Sequence, residues 1–192
     1  MKAILISIKP RHNKNILNEI KTLEIRKKFP KDYVGWVYIY NTKDFKDGYL
    51  TCAYIGNKLE FITSFSEHKK YRGKVIARFW CDKVEEIKYH FGYYDMGEWT
   101  ESYILENACL TAEELDNYLQ ASKEYDEKKV SRVYGYGIHI TKLEIFTKPK
   151  EISEFKRCQL LWCCEPHDCE KCRHALPLTC APQSWCYVEV DQ

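Results

Sequence analysis

A chain of 192 residues and 22.9 kDa is long enough for one full domain with an appendage and short for two independent cores. A hydrophobic content of 45% excludes a disordered polymer, and no apolar run reaches the roughly 18 residues that a membrane span needs. The net charge of +2 hides an uneven division: residues 1–31 carry nine basic groups (Lys2, Lys9, Arg11, Lys14, Lys21, Arg26, Lys27, Lys28, Lys31) against Glu19 and Glu24. That segment is therefore +7, which leaves −5 for the rest. A basic segment of this kind attracts phosphate, although a solvated helix face has the same composition. Fifteen tyrosines and five tryptophans suit half-buried strand faces and base-stacking surfaces alike.

Ala3 to Ile8 is a continuous strand-forming run, too short for a signal peptide and closed by Lys9-Pro10-Arg11 where a small-residue cleavage site would stand. A cytoplasmic protein with reduced thiols is expected, and its ten cysteines then suggest metal before disulfides. Ile16, Leu17 and Ile20 fit one helical face and predict a helix from about Asn13 to Ile20. Thr22 to Arg26 alternates apolar with polar, the period of a strand, so Lys21, Glu24 and Arg26 are expected to project together from the helix-to-strand junction.

Gly35 to Tyr40 reads as a strand, and Tyr49–Tyr54 with Lys58–Ile62 as a hairpin across Gly56-Asn57. Gly73 introduces the strand Lys74 to Trp80. Thr111 and Glu114 have capping-box spacing and open a helix to about Ser122. Tyr134 to Phe146 reads as strand, with Gly135 and Gly137 marking a bulge or a place where a ligand meets backbone. Trp185 to Val190 is the last strand. Short strands with two small helices, and no regular βαβ alternation, indicate an α+β or mainly β fold built on a small barrel with short flanking helices.

Lys21, Glu24 and Arg26 match the K-x-x-E-x-R part of the signature G-x-K-x-x-E-x-R, and the chain here resembles the ASCH family of PUA-like proteins. Glu19 stands where the motif has glycine. Ser7-Ile8-Lys9-Pro10, Gly73 to Phe79, Tyr134 to Ile140 and Ala181 to Val188 resemble, in order, the first strand's end, the central strand, the strand after the variable insert and the closing segment of phage and Gram-positive members. The resemblance implies one PUA-like domain over residues 1–192, with insertions at about 41–70 and 156–180, and RNA or a modified nucleobase as ligand. Lys9, Lys21 and Arg26 are its expected binding residues. One branch of the family deacetylates N4-acetylcytidine with a lysine, a threonine and a glutamate. The lysine falls on Lys21, and Glu106-Asn107-Ala108-Cys109-Leu110-Thr111 matches the surroundings of the glutamate, but the threonine's position holds Glu24. If the chain is an enzyme, Lys21, Glu24 and Glu106 are its candidate catalytic residues: a desolvated lysine acts as a base, and a glutamate beside Leu105 and Leu110 shuttles a proton.

Seven of the ten cysteines lie between Cys158 and Cys186. Cys169-Glu170-Lys171-Cys172 has the CxxC spacing that brings two thiolates to one ion, and Cys158, Cys164, Cys169 and Cys172 are the expected ligands of a structural zinc. Cys163 competes with Cys164, and Cys180 with Cys158. Cys52, Cys81, Cys109 and Cys186 read as packing residues, His139 as a hydrogen-bonded strand histidine, and Trp80, Trp99 and Trp185 as either core or base-stacking. Two function classes stay open: a binding module for RNA or a nucleobase, and an amidohydrolase acting on N4-acylated cytidines. A third reading, a phage-type protein occupying a host partner, has no sequence feature that tests it.

Overall fold

The computed structural model describes residues 2–90, 92–121, 132–157 and 176–190. The chain divides into two compact units, each assembled from separate stretches. The first comprises Met1–Leu17, Gly35–Phe79 and Leu143–Gln192; the second comprises Asn18–Val34 and Trp80–Lys142.

The first unit is organised on β1 (Lys2–Ile8), whose residues Ala3 to Ile6 are fully buried. A strand covered on both faces has to be apolar without alternation, which is why this run carries no period of two. β1 pairs in parallel with β3 (Gly35–Asn41) and antiparallel with β13 (Trp185–Glu189). With β6 (Val75–Cys81), β11 (Thr141–Lys150) and β12 (Lys156–Arg157) they form a six-stranded sheet in the order β11-β6-β3-β1-β13-β12. The hairpin of β4 (Tyr49–Ile55) and β5 (Lys58–Ser64) turns at Gly56, whose φ of 61° is the left-handed conformation that glycine adopts without a Cβ penalty. α1 (Pro10–Leu17) opens on a proline, whose fixed φ suits a first helical position. Buried Asn13 fastens it by donating to the Ile8 carbonyl at 3.0 Å and to Asn41 Oδ1 at 2.8 Å.

The second unit is an antiparallel sheet in the order β2-β10-β7-β8-β9, built from β2 (Leu23–Arg26), β7 (Val84–His90), β8 (Tyr93–Met96), β9 (Trp99–Thr100) and β10 (Val133–His139). α2 (Glu101–Ala108) and α3 (Ala112–Leu119) contribute Ile104, Ala108, Leu115 and Leu119 to a core with Leu23, Ile25, Ile87, Tyr94 and Met96. α3 carries the expected capping box, with the Thr111 hydroxyl accepting from the Glu114 N–H and the Glu114 carboxylate accepting from the Thr111 N–H.

The mainly β, mixed α+β class agrees with expectation; the closed barrel does not. Among the described residues the strands form three open sheets, because strand-forming runs reveal neither their neighbours nor whether the two edges meet. The helix expected over 13–20 lies three residues earlier and stops at Leu17, where the chain turns through Glu19 at φ 58°. The single strand expected from Tyr134 to Phe146 is two strands meeting near Ile140, with Lys142 at φ 44°. Of the bulge or ligand approach expected at Gly135 and Gly137, the register shows a shift between Val133 and Gly135, and both glycines are explained by packing. A Cβ on Gly135 would meet Leu119, and one on Gly137 would meet Met96 and Leu23. Among the described residues, no helix is long and apolar enough to cross a membrane.

Candidate functional site

Lys21, Glu24 and Arg26 come together in the second unit as the motif predicts, but the cluster is buried inside the protein. Lys21 and Glu24 are 2% and 3% exposed. The two oxygens of Glu24 are divided between two cations: Oε2 faces Lys21 Nζ at 3.3 Å, and Oε1 takes Arg26 at 2.6 Å. The Lys21 ammonium also donates to the Ala108 carbonyl at 2.7 Å, and Arg26 to the Ile25 carbonyl at 3.2 Å. Ala108 is the last residue of α2, and a cation at a helix C-terminus is favoured by the helix dipole and by carbonyls that lack helical partners. Arg26, with a side chain 12% exposed, forms the surface edge of the cluster.

The loop carrying Lys21 is held from both sides. The Thr22 N–H and hydroxyl donate to the Asn107 carbonyl and side-chain oxygen at 3.0 and 2.6 Å, and the Ile140 N–H donates to the Thr22 carbonyl at 2.9 Å. Asn107 is fixed in turn by donating to the Tyr103 carbonyl at 3.0 Å. Asn107 is thus the positioning residue that sequence reasoning missed. It stands in the Glu106–Thr111 string, but its role depends on α2, a helix that the sequence reading left out.

Glu106 is not brought to the cluster. Its side chain lies on the exposed side of α2 and makes no hydrogen bond or ion pair with Lys21, Glu24 or Arg26. The semi-apolar pocket expected around this carboxyl is absent, because Leu105 and Leu110 turn toward the core while the helix carries Glu106 outward. The group that reaches Lys21 from this helix is the Ala108 carbonyl.

Lys9 belongs to the first unit. It is half-exposed and pairs with Asp44 at 3.4 Å, and Arg11 pairs with Asp47 at 3.5 Å. The Asp44 carboxyl is held below the usual carboxylate value, chiefly by the Lys46 N–H that donates to it, with Lys9 acting in the same direction. Of the basic segment, Lys2, Lys9, Arg11 and Lys14 thus fall in the first unit and Lys21, Arg26, Lys27, Lys28 and Lys31 in the second.

His139 is the hydrogen-bonded strand histidine expected, its Nε2 lying 2.9 Å from Glu85 Oε2, with Lys83 on the other oxygen at 2.7 Å. Trp99 is 40% exposed and stacks on Tyr103 at 4.2 Å between centroids. Cys81 is fully buried, and removal from water pushes its thiol up to about 12. Cys158, Cys163, Cys164, Cys169 and Cys172, which carry the zinc expectation, lie outside the described residues. Among the described residues no group of three or more His, Cys, Asp or Glu is arranged to hold a metal ion. The first unit has a cavity of about 680 Å³ lined in part by Arg157, Leu178, Cys180 and Cys186, with none of Lys21, Glu24, Arg26 or Glu106 among its lining residues.

Comparison with known proteins finds two similar solved structures, both of an ASCH protein from Zymomonas mobilis. A mutant form is 13% identical, with 79% of this chain and 77% of that chain covered and a TM-score of 0.46. A second structure is also 13% identical, with coverage of 77% and 69% and a TM-score of 0.41. No family model matches the chain, and no curated protein matches it.

Proposed function

We propose that the chain is an ASCH-type module that binds single-stranded RNA or a nucleobase-bearing anion at the Arg26 edge of the buried cluster, without chemical turnover. One observation carries the reading: two cations share one buried carboxylate, and of the two it is Arg26 that stands at the exposed edge of the cluster. A planar guanidinium at the surface edge suits a bidentate phosphate contact.

The arrangement favours binding over hydrolysis for a geometric reason. A lysine acting as base needs its nitrogen directed at substrate, whereas Lys21 Nζ is aimed at the Ala108 carbonyl and the Glu24 carboxylate. The proposed proton partner Glu106 is not in the cluster, and Glu24 occupies the position of the hydroxyl that the hydrolytic branch uses.

The test is a fluorescence-anisotropy titration of labelled single-stranded RNA across a salt series, with Arg26→Ala alongside. That variant keeps the Lys21–Glu24 pair, and a circular-dichroism melt checks that it is folded. The wild type is expected to bind with a log affinity that falls linearly with log salt, and Arg26→Ala to lose about 1–3 kcal/mol and about one unit of salt slope. Equal binding by the variant, or release of cytidine from N4-acetylcytidine by the wild type, would overturn the reading.

A further inference from the structure

Strand register sets three chemically different side chains in one line across β2, β10 and β7. Arg26 is paired with Tyr136, and Tyr136 with Glu86. Directly opposed residues project to the same face of a sheet, and strands about 4.8 Å apart put the Arg26 and Glu86 backbones roughly 10 Å apart with Tyr136 between them. The opposite face packs on the helices, since Leu23, Ile25, Ile87 and Met96 belong to the core with α2 and α3. The row lies on the face turned away from these helices, at the half-buried end of a face whose Glu24 and Ile138 are themselves buried.

All three residues are half-buried. Among the described residues the Tyr136 hydroxyl has no hydrogen-bond partner, its ring has no aromatic neighbour, and Glu86 has no ion pair. A cation, a flat apolar ring and an acceptor-only carboxylate in that order match the parts of one nucleotide: phosphate, base face and base edge.

We infer that this row is a nucleobase subsite selective for guanine, with Tyr136 stacking the base, Glu86 accepting from its N1–H and N2–H, and Arg26 on the phosphate. The inference rests on the binding function proposed above. Selectivity follows from the carboxylate, which only accepts hydrogen bonds. Guanine is the base whose Watson–Crick edge offers two adjacent donors. Adenine and cytosine offer one amino group beside an acceptor nitrogen, and uracil one N–H between two carbonyls that the carboxylate repels.

The experiment measures the affinity of the whole protein for a labelled adenosine hexamer carrying one central guanosine. The same oligomer with inosine, which lacks the 2-amino group, and the all-adenosine hexamer serve as comparisons. The expected result is a preference for guanosine of about tenfold over both. Glu86→Gln should abolish that preference, and Tyr136→Leu should weaken binding to all three. Glu86→Gln is isosteric at a half-buried position, so it tests the subsite even if Tyr136→Leu does not fold. Binding with equal affinity for the three oligomers, or a guanosine preference unchanged in Glu86→Gln, overturns the subsite and leaves the binding function standing. Failure to bind any of them overturns both.

Discussion

Lys21 has two engagements, the Ala108 carbonyl at 2.7 Å and the Glu24 carboxylate at 3.3 Å, and almost no contact with water. Its burial is what distinguishes this cluster from a surface ion-pair array, in which exposed pairs are worth little. Glu24 is the carboxylate that Lys21 and Arg26 share, so removing it takes that partner from a buried lysine. Glu24→Ala is therefore expected to lower the unfolding free energy by about 3–5 kcal/mol in urea titration. The double variant Lys21→Met/Glu24→Ala should regain part of that loss, because it leaves no lysine charge at the centre. Additive losses in the double-mutant cycle would show that the two groups do not interact.

At the scale of elements, the hairpin around Gly56-Asn57 and the Thr111 capping box were legible because each depends on local chemistry: a turn glycine, or a hydroxyl three residues before a carboxylate. α2 was not legible. Its buried residues are Ile104 and Ala108, and the run Tyr103-Ile104-Leu105 lacks helical spacing, so the helix owes its existence to the core it joins. With α2 unseen, Asn107 and the Ala108 carbonyl had no assignable role. The end of α1 is set by Glu19, which takes the left-handed conformation where the motif has glycine. A residue with a Cβ pays about 1–2 kcal/mol there, so Glu19→Gly is expected to raise the unfolding free energy by about 1 kcal/mol. A fall instead would mean that the Glu19 carboxylate makes a contact worth more than the backbone strain.

For the molecule as a whole, the +7 segment is divided between the two units, and Lys9 and Arg11 are each matched by an aspartate. The mainly β class was readable from strand-forming runs, whereas the open sheets were not, since pairing between distant strands leaves no mark on either strand alone. Alkaline pH gives a global test of the burial described. Burial raises the Cys81 thiol from 9.0 to about 12, so it stays neutral in the folded chain while it ionises in the unfolded one. Its stabilising contribution is complete below 9.0 and is lost as pH rises through about 12. Urea unfolding at neutral pH and at about pH 10.5 should show that loss, and it should be smaller in Cys81→Val. Ready alkylation of Cys81 in the folded protein would contradict its burial.

Ligand is expected to meet this protein at the Arg26 edge of the buried cluster. A backbone amide NMR titration of the labelled protein with the guanosine-bearing hexamer tests this. Shifts should concentrate on Leu23–Arg26 and Val133–His139, with β1 and the β4–β5 hairpin unmoved. Shifts confined to the first unit, around Lys9 and Arg11, would contradict it.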